Sequence, residues 1–238
     1  MFLWILATLA AFYVKGLCGF ANTLVFASVM NFGDSAINIS PVEVVLGFPT
    51  NLIMAWRGRR SLDARVFVPP SVMVLAGSVA GALLLKNADA SAIRVFFGAV
   101  VVFTGLEMLF RERGVKRRKG SLALLTVIGV LSGLLCGLFG VGALLAAYVS
   151  RTTDTNGAFK ANMCAVFVVE NAFRIILYAA LGIVTLSTLR QSLILMPFML
   201  LALLLGMKSA RVLNEKRARR LVILLLIVSG AALIIQNL

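Results

Sequence analysis

Apolar residues along this chain gather into eight long runs, at approximately 2–30, 36–56, 66–85, 91–110, 121–150, 158–182, 190–207 and 218–237. A helix needs about 20 residues to cross the hydrocarbon layer of a bilayer. Six runs have the length of one crossing. The other two, 2–30 and 121–150, are too long for one. These two also carry glycines and a cysteine near their middles, in "YVKGLCGFAN" (Tyr13 to Asn22) and "GLLCGLFGVG" (Gly133 to Gly142). A double-length run with a glycine-rich interruption predicts a helical hairpin rather than a single span. Backbone that leaves the helix at membrane depth survives only where protein buries it or where it lines a wet cavity.

The eight runs fall into two sets of four that echo each other. Cys18-Gly19 matches Cys136-Gly137 at an offset of 118, and Asn51 matches Asn171 at 120. Gly81 and Gly206, Arg94 and Arg219, and Gly105 and Gly230 share an offset of 125. An ordered series at nearly constant offset predicts two homologous halves, 1–114 and 115–238, joined by the basic linker "RERGVKRRKG" (Arg111 to Gly120).

Charge selects between two topologies. If all eight runs cross, Lys and Arg divide eleven to ten between the faces, which is no bias. If 2–30 and 121–150 dip in and return, the loops 57–65, 111–119, 151–160 and 208–220 share one face and carry 18 of the 23 Lys and Arg. Lys86, Arg94 and Arg190 stay on the other face, and Lys15 and Arg174 lie within the membrane. Short cytoplasmic loops carry such an excess of positive charge. The expected architecture is therefore an all-α polytopic membrane protein of two inverted repeats. Each repeat is a re-entrant helical hairpin plus three transmembrane helices: hairpin 2–30 with helices 36–56, 66–85 and 91–110, then hairpin 121–150 with helices 158–182, 190–207 and 218–237. The basic loops are cytoplasmic and both termini lie on the opposite face. A hairpin arm of about 13 residues reaches roughly 20 Å, which puts the tips inside the bilayer. Inverted repeats with broken helices are a recurring design of secondary transporters.

Composition agrees with a membrane assignment. Hydrophobic residues make up 61% of the 238, charged residues 13%, and mean hydropathy is +1.02; soluble proteins have about 45–50% and about 25%. The net charge of +14 sits in short loops between apolar runs, so it sets topology and does not imply nucleic acid. No histidine is present, which argues against a transition-metal site. The cysteines Cys18, Cys136 and Cys164 form no CxxC pair and are expected as free thiols. No Lys or Arg precedes Lys15, so the first run is expected to be a retained membrane segment rather than a secretory signal. No Walker motif points to ATP drive, and no cofactor is expected.

A few residues stand out as polar within these runs. Lys15 costs about 2.5–3.5 kcal/mol at the bilayer centre on insertion scales; it reads as a cation facing an anionic substrate, against the alternative of a snorkelling or carboxylate-paired lysine. Gly16 and Gly19, with Ala21, Asn22 and Thr23, permit a tight reversal followed by a helix N-terminus whose N–H groups face an anion. Gly137, Gly140 and Gly142 offer the same in the second half, with close helix packing as the alternative. Cys18 and Cys136 fall at equivalent points near the two tips, as substrate-touching thiols or simply small buried residues. Glu170 and Arg174 are four apart on one helix face and can pair; the sharper reading gives Arg174 to the anion and a coupling proton to Glu170. Asn51 and Asn171 form a symmetric polar pair across the site. Glu43 and Glu107 are expected at the interface near span ends, and Trp56 beside Arg57 as an interfacial anchor. Pro49, Pro69, Pro70 and Pro197 are expected to bend their helices.

At these residues the chain resembles the TauE/SafE sulfite-exporter family, also called the TSUP family of anion transporters. The resemblance lies in "VKGLCGFANTLVFASVM" and "NLIMAWRGRR" of the first half and in "GVLSGLLCGLFGVGALLAAYVS" and "GAFKANMCAVFVVENAFRIILYAALGIVT" of the second. Within the last segment the family pattern is met at Phe159, Lys160, Asn162, Phe167, Asn171, Arg174, Tyr178 and Gly182. Two departures fall at the presumed site: Phe20-Ala21-Asn22 replaces Phe-Gly-Phe or Phe-Gly-Ala, and Gly140-Val141-Gly142-Ala143 lacks a Gly-Pro pair. The resemblance implies outward transport of sulfite, a sulfonate or a similar small anion across a bacterial inner membrane, by alternating access. The expected partners are the anion, the lipid bilayer and a coupling proton or sodium ion, with a homodimer left open and no nucleic acid. An anion channel of the same architecture is the first rival. A membrane enzyme acting through Cys18 or Cys136 is the second, and it lacks a base–nucleophile pair.

Overall fold

The computed structural model describes residues 1–30, 36–87 and 152–210 continuously, and isolated positions between 95 and 149 and between 224 and 235. The linker and most of the runs 91–110, 121–150 and 218–237 lie outside the described residues, and with them Glu107, Cys136, Gly137 and Gly140. All regular structure among the described residues is helical: α1 (Phe2–Cys18), α2 (Asn22–Met30), α3 (Ala36–Arg57), a 3₁₀ turn (Arg59–Ser61), α4 (Ala64–Asn87), α5 (Asn156–Ala180) and α6 (Leu186–Ser209). Four of these helices are long and apolar enough to cross a membrane, over Asn38–Arg57, Ala64–Leu83, Gly157–Ala180 and Leu186–Ser209. This is a multi-pass membrane protein.

The first run is interrupted where its glycines predict, but the reversal uses Gly19 and Ala21 rather than Gly16. Gly19 has φ 89° and its N–H closes α1 onto the Lys15 carbonyl; Ala21 has φ 72°. Left-handed backbone is natural for glycine and costs an L side chain roughly 1–2 kcal/mol, so Ala21 holds a conformation that a glycine adopts freely. α1 has 17 residues and reaches about 26 Å, longer than the 13-residue arm expected. α2 folds back on it, with the Trp4 and Phe26 rings edge-to-face at 5.8 Å. The break packs on the start of α5 through Phe20 and Phe159, also edge-to-face at 5.8 Å.

Gly16 is helical and serves packing instead. Its Cα meets Gly206 of α6, and a Cβ on either residue would overlap the other helix's backbone. Gly77 of α4 meets the helical position Gly133 in the same manner, with Val74 and Val130 carbonyls in the places that Leu203 and Tyr13 carbonyls take at the first crossing. Small residues let membrane helices approach closely, where dispersion replaces the absent hydrophobic drive. On the outward side of the helices the apolar residues are exposed. On α6, Leu195, Met199 and Leu203 are buried while Leu193, Leu201, Leu204 and Leu205 are exposed, which suits a helix with lipid on one side. Trp56 is exposed with the Arg59 guanidinium 5.1 Å from its ring, in keeping with an interfacial anchor. α3, α4 and α6 run unbroken through Pro41, Pro49, Pro69, Pro70 and Pro197.

The ends of α3 and α5 meet. Asn162 donates to the Ser61 carbonyl (3.1 Å) and accepts from the Asp63 N–H (2.9 Å), and Gly58 lies against Ala161. Thr155 caps α5 by accepting from the Ala158 N–H. From this junction α3 and α5 run antiparallel, and their facing sides carry the polar side chains described next.

Candidate functional site

Helical spacing explains what α3 contributes. Glu43, Gly47 and Asn51 are four apart and share one face. α5 opposes them with Glu170, Asn171 and Arg174. α2 adds its first two residues, Asn22 and Thr23, delivered by the break that precedes them. All of these polar side chains are buried. Glu43, at 2% exposure, is the hub. Its Oε1 accepts from Asn22 Nδ2 and from Thr23 Oγ1 (2.7 Å), and its Oε2 accepts from Arg174 Nη2 (3.2 Å). Arg174 Nε faces Glu170 Oε1 at 3.4 Å without hydrogen-bond alignment. With the Asn171 amide oriented to suit its neighbours, its nitrogen donates to Glu170 Oε2 (2.6 Å) and its oxygen accepts from Asn51 Nδ2 (2.9 Å) and the Phe48 N–H (3.3 Å). Asn51 Oδ1 is buried with no hydrogen-bond partner among the described residues. Beyond Arg174, the Tyr178 ring lies 5.7 Å from its guanidinium, and Tyr178 Oη meets Ser40 Oγ at 3.0 Å.

Gly47 makes room for this network. A Cβ there would come 3.0 Å from the Asn171 amide and 3.3 Å from Glu43 Oε1. The bare backbone lets three helices place polar groups at one depth.

A second cluster surrounds the break. Lys15 is 1% exposed, and among the described residues its ammonium has no hydrogen-bond or ion-pair partner; the Phe12 ring is 5.9 Å away. Glu43 and Cys164 are the acidic groups whose fields reach it. Cys18 is the last residue of α1 and is buried. Gly19 is pressed against the Lys160 stem, its carbonyl accepts from Cys164 Sγ (3.5 Å), and Lys160 Nζ donates to the Leu17 carbonyl at 2.7 Å. Neither Cys18 nor Cys164 is in a disulfide.

The structure thus brings Asn22, Thr23, Asn51, Glu170, Asn171 and Arg174 into one network, and places Lys15, Cys18 and Gly19 together at the break. Two residues correct the expectations from sequence. Glu43 is not interfacial but the centre of the network. The signal was its position eight residues before Asn51 on the same helical face. Lys160 is not a loop charge. It lies in α5 and holds the C-terminal carbonyls of α1, where a cation also complements the helix dipole. Among the buried, described residues the Lys, Arg, Asp and Glu side chains are Lys15, Glu43, Glu170 and Arg174, two of each sign. A buried charge is tolerated when paired and is costly otherwise. Three of these four meet that condition among the described residues, and Lys15 does not.

Comparison with known proteins identifies the family. The model of the family described as "Sulfite exporter TauE/SafE" matches residues 3–233. A protein of Cupriavidus necator named "Probable sulfite/organosulfonate exporter TauE" is 26% identical over 236 residues, covering 95% of this chain and 90% of that one. No solved structure matches the chain. With the family match extending over nearly its whole length, this chain belongs to the sulfite exporter TauE/SafE family of membrane transporters.

Proposed function

We propose that the protein is a secondary transporter that exports a small sulfur-containing or organic anion, of the sulfite or sulfonate kind, and that Lys15 faces the anion in its site. The buried ammonium of Lys15, with no hydrogen-bond or ion-pair partner among the described residues, is the observation that carries this reading. A cation held in apolar surroundings without a direct ion pair is costly, and an anionic substrate would supply one. The Cupriavidus necator relative's name supports the substrate class. Asn22, Thr23, Asn51, Asn171 and Arg174 extend the site from Lys15, with Cys18 and Gly19 at its edge; Cys136, Gly137 and Gly140, their sequence counterparts in the second half, complete the proposed substrate-binding set. A coupled proton or sodium ion belongs to this reading, and the two buried carboxylates of the network, Glu170 and Glu43, are the candidate proton acceptors.

Alternating access between two inverted halves fits the glycine seams. Gly16 crossing Gly206 and Gly77 crossing Gly133 are equivalent contacts, each joining the first arm of one half to the second crossing helix of the other. The bonds from Asn162 to Ser61 and Asp63 support placing the basic loop 57–65 and the start of α5 on one face, as two re-entrant hairpins require. The basic loops are then cytoplasmic in the bacterial inner membrane.

The test is sulfite flux in proteoliposomes. Wild type should show saturable flux with counter-transport. Lys15→Gln should lower sulfite affinity by about ten- to a hundredfold, the loss expected for one charged hydrogen bond of about 1.5–3 kcal/mol. Flux that never saturates would favour a channel. A Lys15→Gln protein with wild-type affinity would move the anion elsewhere.

A further inference from the structure

The donors that converge on Glu43 have the chemistry of an oxyanion site. Asn22 and Thr23, from the first turn of α2, share one carboxylate oxygen, and Arg174, from α5, holds the other. A sulfite or sulfonate group presents the same feature, several oxygens on one atom that share its negative charge. Lys15 stands within electrostatic reach of the same carboxylate and has no partner of its own among the described residues. Donors from three helices are therefore gathered around a side chain that mimics the substrate class proposed above.

Charge count sharpens the point. Among the described residues Lys15 and Arg174 balance Glu43 and Glu170, so the buried cluster counts as neutral. A monoanion entering it leaves one uncompensated negative charge in a medium where isolated charge is costly. One proton taken up with the anion restores neutrality. The groups facing Glu43 are Asn22 and Thr23 on α2, Lys15 on α1, and Glu170, Arg174 and Tyr178 on α5. Of the two carboxylates, only Glu43 holds α2 donors. Glu170 is bonded to Asn171 and faces Arg174, both on its own helix, so a proton there would release nothing from the hairpin.

We infer that Glu43 is a built-in competitor of the transported anion: it occupies the Asn22–Thr23–Arg174 donors when empty of substrate, and it gives them up to an oxyanion on taking a proton. The inference rests on the anion-transporter reading. The carrier then moves either the Glu43 carboxylate alone or the anion together with one proton. For a monoanion that exchange is electroneutral. Export runs on the anion's own concentration difference, responds to the pH difference and ignores membrane potential.

Bisulfite flux in proteoliposomes tests it, at a pH low enough for the monoanion to predominate and after subtraction of the flux through protein-free liposomes. A pH gradient and a potassium–valinomycin potential are applied separately. Wild type should respond to the pH gradient and not to the potential. Glu43→Gln should do the reverse, because its site can bind the anion without a proton, and its half-saturating bisulfite concentration should fall roughly tenfold as the competitor is removed. Glu170→Gln should keep the wild-type pattern of responses at whatever rate it runs. The inference is overturned if Glu43→Gln still follows the pH gradient, if it is folded but carries no bisulfite, or if Glu170→Gln shows the switch instead. A wild type that carries no bisulfite at all overturns the transporter reading for this anion, and this inference with it.

Discussion

Arg174 on α5 reaches Glu43 on α3 across 131 residues of sequence, with Nη2 3.2 Å from Oε2 and neither side chain more than 2% exposed. Removing one member of a buried ion pair leaves the other uncompensated, at about 3–5 kcal/mol. Arg174→Gln should therefore lower stability by about that amount in detergent, and more than Glu43→Gln does. The double variant should recover part of the loss, giving a coupling above roughly 1 kcal/mol. Thermal unfolding of the four proteins measures it. Strictly additive losses would mean that the two side chains touch without being linked energetically.

Lys15 should trade stability against function. A methionine keeps the length of the stem and removes an ammonium that makes no hydrogen bond among the described residues. Lys15→Met is expected to gain about 1–3 kcal/mol of stability, the scale of a buried polar group left without a hydrogen bond, while losing sulfite transport. A raised unfolding temperature with abolished flux is the expected pair of results. A variant that melts earlier than wild type would show that the ammonium has a stabilising partner.

The glycine seams make a steric prediction. Gly206→Ala and Gly77→Ala each place a methyl onto backbone of the facing helix. Helices forced apart at a close-packed seam should cost about 1–3 kcal/mol. Gly157→Ala has open space around it, with only Thr155 Oγ1 at 3.9 Å, and alanine is the better helix former by about 1 kcal/mol. Unfolding in detergent should separate these variants cleanly. A Gly206→Ala protein as stable as Gly157→Ala would mean that α1 and α6 do not pack through this seam.

Topology can be read from the junction of α3 and α5. The residues 59–61 and 154 flank helix ends tied together by Asn162. Single cysteines from Arg60→Cys and Asp154→Cys, in a background lacking the three native cysteines, should react with an impermeant maleimide from the same face, and Leu186→Cys from the other. Labelling of positions 60 and 154 from opposite faces would require an odd number of crossings between them and remove the hairpin topology.

The hydrophobic pattern alone placed α3, α4, α5 and α6 within a few residues of their observed bounds, because each apolar run has to be about as long as the bilayer is thick. Glycine spacing and run length also located the interruption near Cys18 and Gly19, since few other residues accept a left-handed backbone. Lys15, Glu170 and Arg174 were legible as unusual because charge within apolar sequence is rare and costly. What each of them touches was not. Glu43 sits 21 residues from Asn22 and 131 from Arg174, and apart from its helical spacing to Asn51 nothing local in the sequence tells a carboxylate near a span end from one at the centre of a network. Gly16 reads as a turn residue by composition, yet it is a packing residue because α6 happens to cross there with Gly206. Lys160 reads as a loop charge until α1 ends beside it. Sequence fixes burial depth through hydropathy, which is a property of each segment. Partnership is a property of how segments cross, and only the tertiary structure decides it.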